Sequence, residues 1–180
     1  MGVDGALFQK ELLYLDSLGK KRIQIWINSI GGVVIDGYNI ISAILKSKTP
    51  VDTYNVGMAV SIAGVIFMCG RNRVSMDYSL FMAHSPSGGS DEEVLKLMQG
   101  SLATVLSAKC DLTTEEMSNL MTQTTWIGSD EMLEKGLSTE IETTDSNIKK
   151  RVSKATDKVS ELKLITNKLI VTKNKKSMLK

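Results

Sequence analysis

The stretch Val51-Asp52-Thr53-Tyr54-Asn55-Val56-Gly57-Met58-Ala59-Val60-Ser61-Ile62-Ala63-Gly64-Val65-Ile66-Phe67-Met68-Cys69 decides the reading of the fold. Pro50 breaks the chain before it, and Val51–Val56 reads as a buried strand. Gly57–Val60 reads as a turn, and Ser61–Cys69 as a helix. A serine therefore opens a helix straight after a strand. The backbone N–H of Ile62 points outward there, and the helix dipole favours an anion. Small residues at Ala59 and Ala63 allow a tight elbow, as glycines do in a G-x-S-x-G turn.

Working outward, the same alternation recurs. Ala6–Leu18 has helical spacing in Leu7, Glu11, Tyr14 and Leu15, and Gly19 stops it. Arg22–Ile27 is an isoleucine-rich strand, Asn28–Gly32 a turn, and Val33–Lys46 a second helix. Arg73–Asp77 and Ser79–His84 read as short strands or a hairpin. Asp91–Cys110 is a helical stretch, Thr113 is an N-cap for the next helix, and Trp126–Gly136 holds a short helix ended by Gly136. Such order predicts an α/β fold with a parallel sheet flanked by helices. Sites in such folds gather at the carboxyl ends of strands. Asn28–Gly32, Gly57–Ser61 and His84 all fall there.

His84, in Leu80-Phe81-Met82-Ala83-His84-Ser85-Pro86, is the only histidine of 180 residues. Histidine suits general-base work because its pKa lies near neutrality. Gly31 and Gly32 can take positive φ and let a substrate backbone approach. Each segment has a plainer reading. Serine is a preferred helix cap, a lone histidine can be structural, and Gly-Gly can be an ordinary turn. Together they suggest acyl transfer, with Ser61 and His84 as the candidate catalytic residues.

Composition sets further bounds. No apolar run reaches the roughly 18 residues of a membrane span, and Met1–Lys10 lacks the pattern of a secretory signal. Cys69 and Cys110 have no metal-ligand spacing, and a reduced intracellular pair is expected. Residues 1–146 carry 11 Lys and Arg against 18 Asp and Glu, a net of −7; residues 147–180 carry 11 against 2, a net of +9. The chain therefore divides into an acidic domain, 1–146, and a basic tail, 147–180. Val152, Ala155, Val159, Leu162 and Leu169 give the tail helical or weakly coiled-coil spacing, with disorder the competing reading. It has no aromatic residue for base stacking, so a nucleic-acid role is not expected. Docking on an acidic neighbour or a capsid scaffold stays open.

Asn28-Ser29-Ile30-Gly31-Gly32, Gly57-Met58-Ala59-Val60-Ser61 and Met82-Ala83-His84-Ser85-Pro86 resemble the three signature segments of the Clp protease proteolytic subunit family, whose usual forms are I-N-S-P-G-G, G-M-A-A-S and M-I-H-Q-P. Trp126–Leu137 resembles the family's later segment, and the likeness covers roughly residues 6–142. It implies a ClpP/crotonase-like α/β fold of repeated β-β-α units with a helical handle. It also implies a serine endopeptidase, Ser61 as nucleophile, His84 as base, and an oxyanion hole from the N–H groups of Gly32 and Ile62. Gly31 and Val33 would bind the extended substrate backbone by strand addition. No metal and no organic cofactor are expected.

The departures carry expectations too. The family's acidic triad member falls on Thr124, whose hydroxyl can accept the histidine N–H but carries no charge. In a well-studied serine protease, replacing that aspartate costs about 10⁴ in turnover. Ile30 replaces the usual proline. The segment between His84 and Trp126 is shorter than in housekeeping members, and the family's axial loops are not found before the first helix. The resemblance implies a ring-forming homo-oligomer, heptameric or of two stacked rings, and the shorter segment leaves the stacking open. Reliance on an ATPase partner is not assumed. The pattern is closer to a phage or prophage member, working in the bacterial cytoplasm or a prohead. Two rivals stay open: a non-catalytic structural subunit of the same fold, and a crotonase-like enzyme acting on acyl-CoA.

Overall fold

The computed structural model describes residues 3–89 and 91–143. Helix α1 (Gly5–Ser17) is capped by Asp4, whose carboxylate accepts from the N–H groups of Ala6 and Leu7. Strand β1 is Ile23–Ser29, α2 is Val34–Lys46 and β2 is Val51–Val60. Helix α3 spans Ile62–Met68, followed by β3 (Arg73–Met76) and β4 (Leu80–Ala83). Helices α4 (Glu92–Ser107) and α5 (Thr114–Thr122) precede β5 (Thr125–Gly128), α6 (Ser129–Glu134) and β6 (Glu140–Glu142). Asp91 caps α4, and Thr113 caps α5 in a reciprocal box with Glu116. The residues read as a basic tail, 147–180, lie outside the described ones.

The ten-residue strand β2 organises the sheet. β1, β3 and β4 all run parallel to it, β6 runs parallel to β3, and only β5, on β4, is antiparallel. The alternation of helix and strand thus produces the parallel α/β sheet it predicts. Two details differ from the sequence reading. Gly57–Val60 is not a turn: Met58–Val60 pairs with Leu80–Met82, so β2 continues to the serine. β3 and β4 are not a hairpin, since both run parallel to β2. Glycine beside valine reads locally as a turn; the edge of β4 overrides it.

The core lies where the helices meet the sheet, around Phe67, Met68, Phe81, Leu106, Met117, Met121, Ile127, Met132 and Leu137, each 2% exposed or less. Arg73 is buried with them. Its guanidinium donates to the carbonyl oxygens of Leu137, Gly70, Lys109 and Gly136, tying β3 to the ends of α4 and α6. Desolvation lowers its pKa. Asp52, equally buried, accepts two guanidinium hydrogen bonds from Arg71 at 3.0 Å each.

Candidate active site

Ser61 is the single residue between β2 and α3, and it turns the chain with φ 58° and ψ −130°. For a residue with a Cβ this is a strained conformation. The backbone is held on both sides: Ser61 N–H donates to Met82 O at 2.9 Å, and Ser61 O accepts from Gly64 N–H at 2.9 Å. The side chain makes no cap hydrogen bond to α3. Its Oγ lies 2.6 Å from Nε2 of His84 instead, so the plain helix-cap reading does not describe it.

His84 follows β4 directly, and β4 pairs with the last residues of β2. Parallel pairing therefore delivers both side chains to the same end of the sheet. The next residue, Ser85, donates its N–H to Met121 O at 3.0 Å, which fastens the loop to α5. For Ser61 to donate, Nε2 must accept and Nδ1 must carry the hydrogen.

Gly31 packs onto the serine. Its φ is +94°, and a Cβ there would lie 2.8 Å from both Ser61 Cβ and Val60 O. The absence of a side chain lets the β1–α2 loop lie against the nucleophile. Gly32 N–H makes no hydrogen bond among the described residues, and Ile62 N–H opens α3, where no preceding turn can accept it. Val33 is exposed at the start of α2.

Thr124 is a different case. It is exposed, with φ 54°, and its N–H donates to Met121 O at 3.2 Å. It directly precedes Thr125, the strand partner of Ala83. Yet no hydrogen bond joins its hydroxyl to His84, and Nδ1 of His84 has no protein partner among the described residues. The structure brings Ser61, His84 and Gly31 together and leaves Thr124 beside them, unconnected.

The cleft beside the pair is lined largely by apolar side chains, among them Val34, Val65, Phe81, Leu102, Leu106 and Met121. These come from α2, α3, β4, α4 and α5. Sequence reasoning did not single them out, because an apolar helix position facing a cleft looks like one facing the core. Cys69 is no rival nucleophile: burial pushes its thiol up to about 12. Cys110 is raised as well, mainly by desolvation. Among the described residues no cluster of three or more His, Cys, Asp or Glu could hold a metal ion, and no helix is long and apolar enough to cross a membrane.

A strained serine at a strand–helix elbow, bonded to a histidine beside an apolar cleft, is the arrangement that serine-hydrolase chemistry requires. The Clp protease family model matches residues 5–145, and the chain belongs to that family. It is 32% identical over 143 residues to the ATP-dependent Clp protease proteolytic subunit of Porphyromonas gingivalis, covering 73% of this chain and 64% of that protein. It is 30% identical over 139 residues to proteolytic subunit 1 of Salinibacter ruber, covering 71% and 60%. The chain thus spans less than two thirds of the length of these relatives. A mutant ClpP1 of Listeria monocytogenes superposes with a TM-score of 0.73 at 25% identity, covering 78% of this chain and 84% of that one. The ClpP-like α/β fold is that of the chain.

Proposed function

We propose that this chain is a serine endopeptidase acting through an acyl-enzyme. The observation that carries the reading is the 2.6 Å contact between Ser61 Oγ and His84 Nε2. Ser61 Oγ attacks the scissile carbonyl carbon while His84 Nε2 takes its proton. The oxyanion accepts from the N–H groups of Gly32 and Ile62. As the C–N bond breaks, the imidazolium returns its proton to the leaving amine. Water, deprotonated by His84, then hydrolyses the ester and frees Ser61. The apolar cleft favours an aliphatic or aromatic side chain beside the scissile bond, and Gly31 and Val33 pair with the extended substrate backbone. Thr124 is retained as the third group only if it moves to bond Nδ1.

The substrate class is protein or peptide, and the working form is a homo-oligomer in the bacterial cytoplasm. Exposed apolar side chains on α1 (Leu7, Leu13, Tyr14) and α4 (Val94, Leu97) support association. The relatives are called ATP-dependent, and an ATPase partner enters here as part of the same proposal. A second reading, a non-catalytic subunit of the same fold, is favoured by one observation: Nδ1 of His84 has no partner among the described residues.

Labelling with a fluorophosphonate, read by intact mass, separates the two. The expected result is one adduct on the wild-type chain and none on Ser61→Ala, with peptidase activity lost by a factor on the order of 10⁶. A folded, assembled protein without an adduct would favour the non-catalytic subunit.

A further inference from the structure

Ser61 and His84 hang from different strands, β2 and β4, so their contact depends on the register between those strands. Just before the site β2 changes partner on that edge, from β3 to β4. Asn55 of β2 lies opposite Ser75 of β3, but Met58 of β2 lies opposite Leu80 of β4. Three steps along β2 thus match five along the neighbouring chain. On the other edge, β1 passes from Ile27 to Ser29 while β2 passes from Asn55 to Ala59. Such an irregularity bends a strand and re-aims the residues beyond it. It also leaves backbone groups without ladder partners.

The Asn55 side chain sits where the partner changes. It is fully buried, at 0% exposure. Its Nδ2 donates to Leu80 O, the first residue of β4, at 2.9 Å. Its Oδ1 accepts from Gly57 N–H at 3.3 Å. A buried carboxamide is unfavourable unless both ends are bonded, and here one end holds the bend of β2 while the other holds the strand that carries His84. An apolar side chain with the same skeleton would make neither bond.

We propose that Asn55 is a positioning residue for the Ser61–His84 pair: its carboxamide fixes β4 against the bend of β2 and so aims His84 Nε2 at Ser61 Oγ. The catalytic consequence rests on the hydrolase reading above; the positioning of the histidine does not.

His84 is the only histidine, so the imidazole ¹⁵N resonances of histidine-labelled protein report this ring alone. Asn55→Leu removes both hydrogen bonds while keeping the branched four-atom skeleton, and Asn55→Ala serves where the bulkier leucine prevents folding. Thr53→Val is the control. It removes another fully buried hydrogen bond of β2, from Thr53 Oγ1 to Phe67 O at 2.7 Å, away from the change of partner. In folded Asn55 variants the Nε2 resonance should move toward that of free imidazole, as its contact with Ser61 Oγ is lost. The fluorophosphonate rate and kcat should fall on the order of 10-fold to 100-fold with KM little changed. Thr53→Val should lower the melting temperature yet leave resonance and rate alone. Unchanged His84 resonances in folded Asn55 variants would overturn the proposal, as would an equal shift in Thr53→Val. Failure of the wild type to label would instead overturn the hydrolase reading and leave the resonance comparison decisive for Asn55.

Discussion

Two described residues other than glycine have positive φ, Ser61 at 58° and Thr124 at 54°, and they stand on either side of the same histidine. Ser61 is held by its N–H on Met82 O and by its carbonyl on Gly64 N–H, it is backed by Gly31, and its Oγ is engaged with His84. Thr124 is β-branched, for which this backbone is less favourable still. It is exposed, and its hydroxyl is not bonded to His84. The nucleophile side of the site is over-determined by its neighbours; the side that would orient the base is open. Strain maintained by packing on one side marks a built elbow. On the other, Thr124 directly follows the C-cap Gln123, and its left-handed backbone ends α5.

The largest effect in that comparison should come from filling the packed side. Gly31→Ala places a Cβ 2.8 Å from Ser61 Cβ and Val60 O in a left-handed backbone. Displacing the elbow by a fraction of an ångström is expected to cost on the order of 100-fold in the rate of fluorophosphonate labelling, measured against thermal melting to show that the fold persists. An unaffected rate would mean that the elbow is less constrained than its packing implies.

A smaller effect should follow from completing the open side. Thr124→Asp offers Nδ1 a charged acceptor, which holds the tautomer and stabilises the imidazolium. Labelling and kcat should rise roughly tenfold, well short of the ~10⁴ that a fully formed aspartate contributes elsewhere. No rise would show that the orienting group comes from another place and would break the pairing of Thr124 with Ser61.

The smallest effect belongs to a residue far from both. Asp16 accepts from Thr49 N–H at 2.7 Å and from Ser47 Oγ and Lys48 N–H, tying α1 to the turn before β2. Those bonds, with Thr49 first, lower its pKa from 3.8 to about 2. A depressed carboxylate stabilises the fold above its unfolded pKa and loses that contribution as pH falls through the folded one. Asp16→Asn should therefore melt slightly lower than wild type near neutral pH, and the gap should close between 3.8 and about 2. Labelling at neutral pH should stay unchanged. A loss of labelling would show that α1 is coupled to the site.

The sequence carried the helices well because their signals are local. Asp4, Asp91 and Thr113 are caps that act within three residues, and the structure places α1, α4 and α5 directly after them. The strand ends were harder. Gly57–Val60 reads as a turn within its own window, and only pairing with β4, more than twenty residues later, keeps it extended. Asn55 was invisible as a site residue for the same reason: its role depends on Leu80 O, which no local pattern connects to it.

By itself the sequence determined the alternation of helix and strand, the parallel sheet and the identity of the one available base, because periodicity, caps and residue chemistry are properties of short segments. Tertiary structure alone decided that Ser61 Oγ turns away from its helix to meet His84, that Gly31 lies against them, and that Thr124 does not reach them. Those are distances between strands brought side by side by the sheet. A shift of one residue in register would alter each of them while changing no residue of the chain.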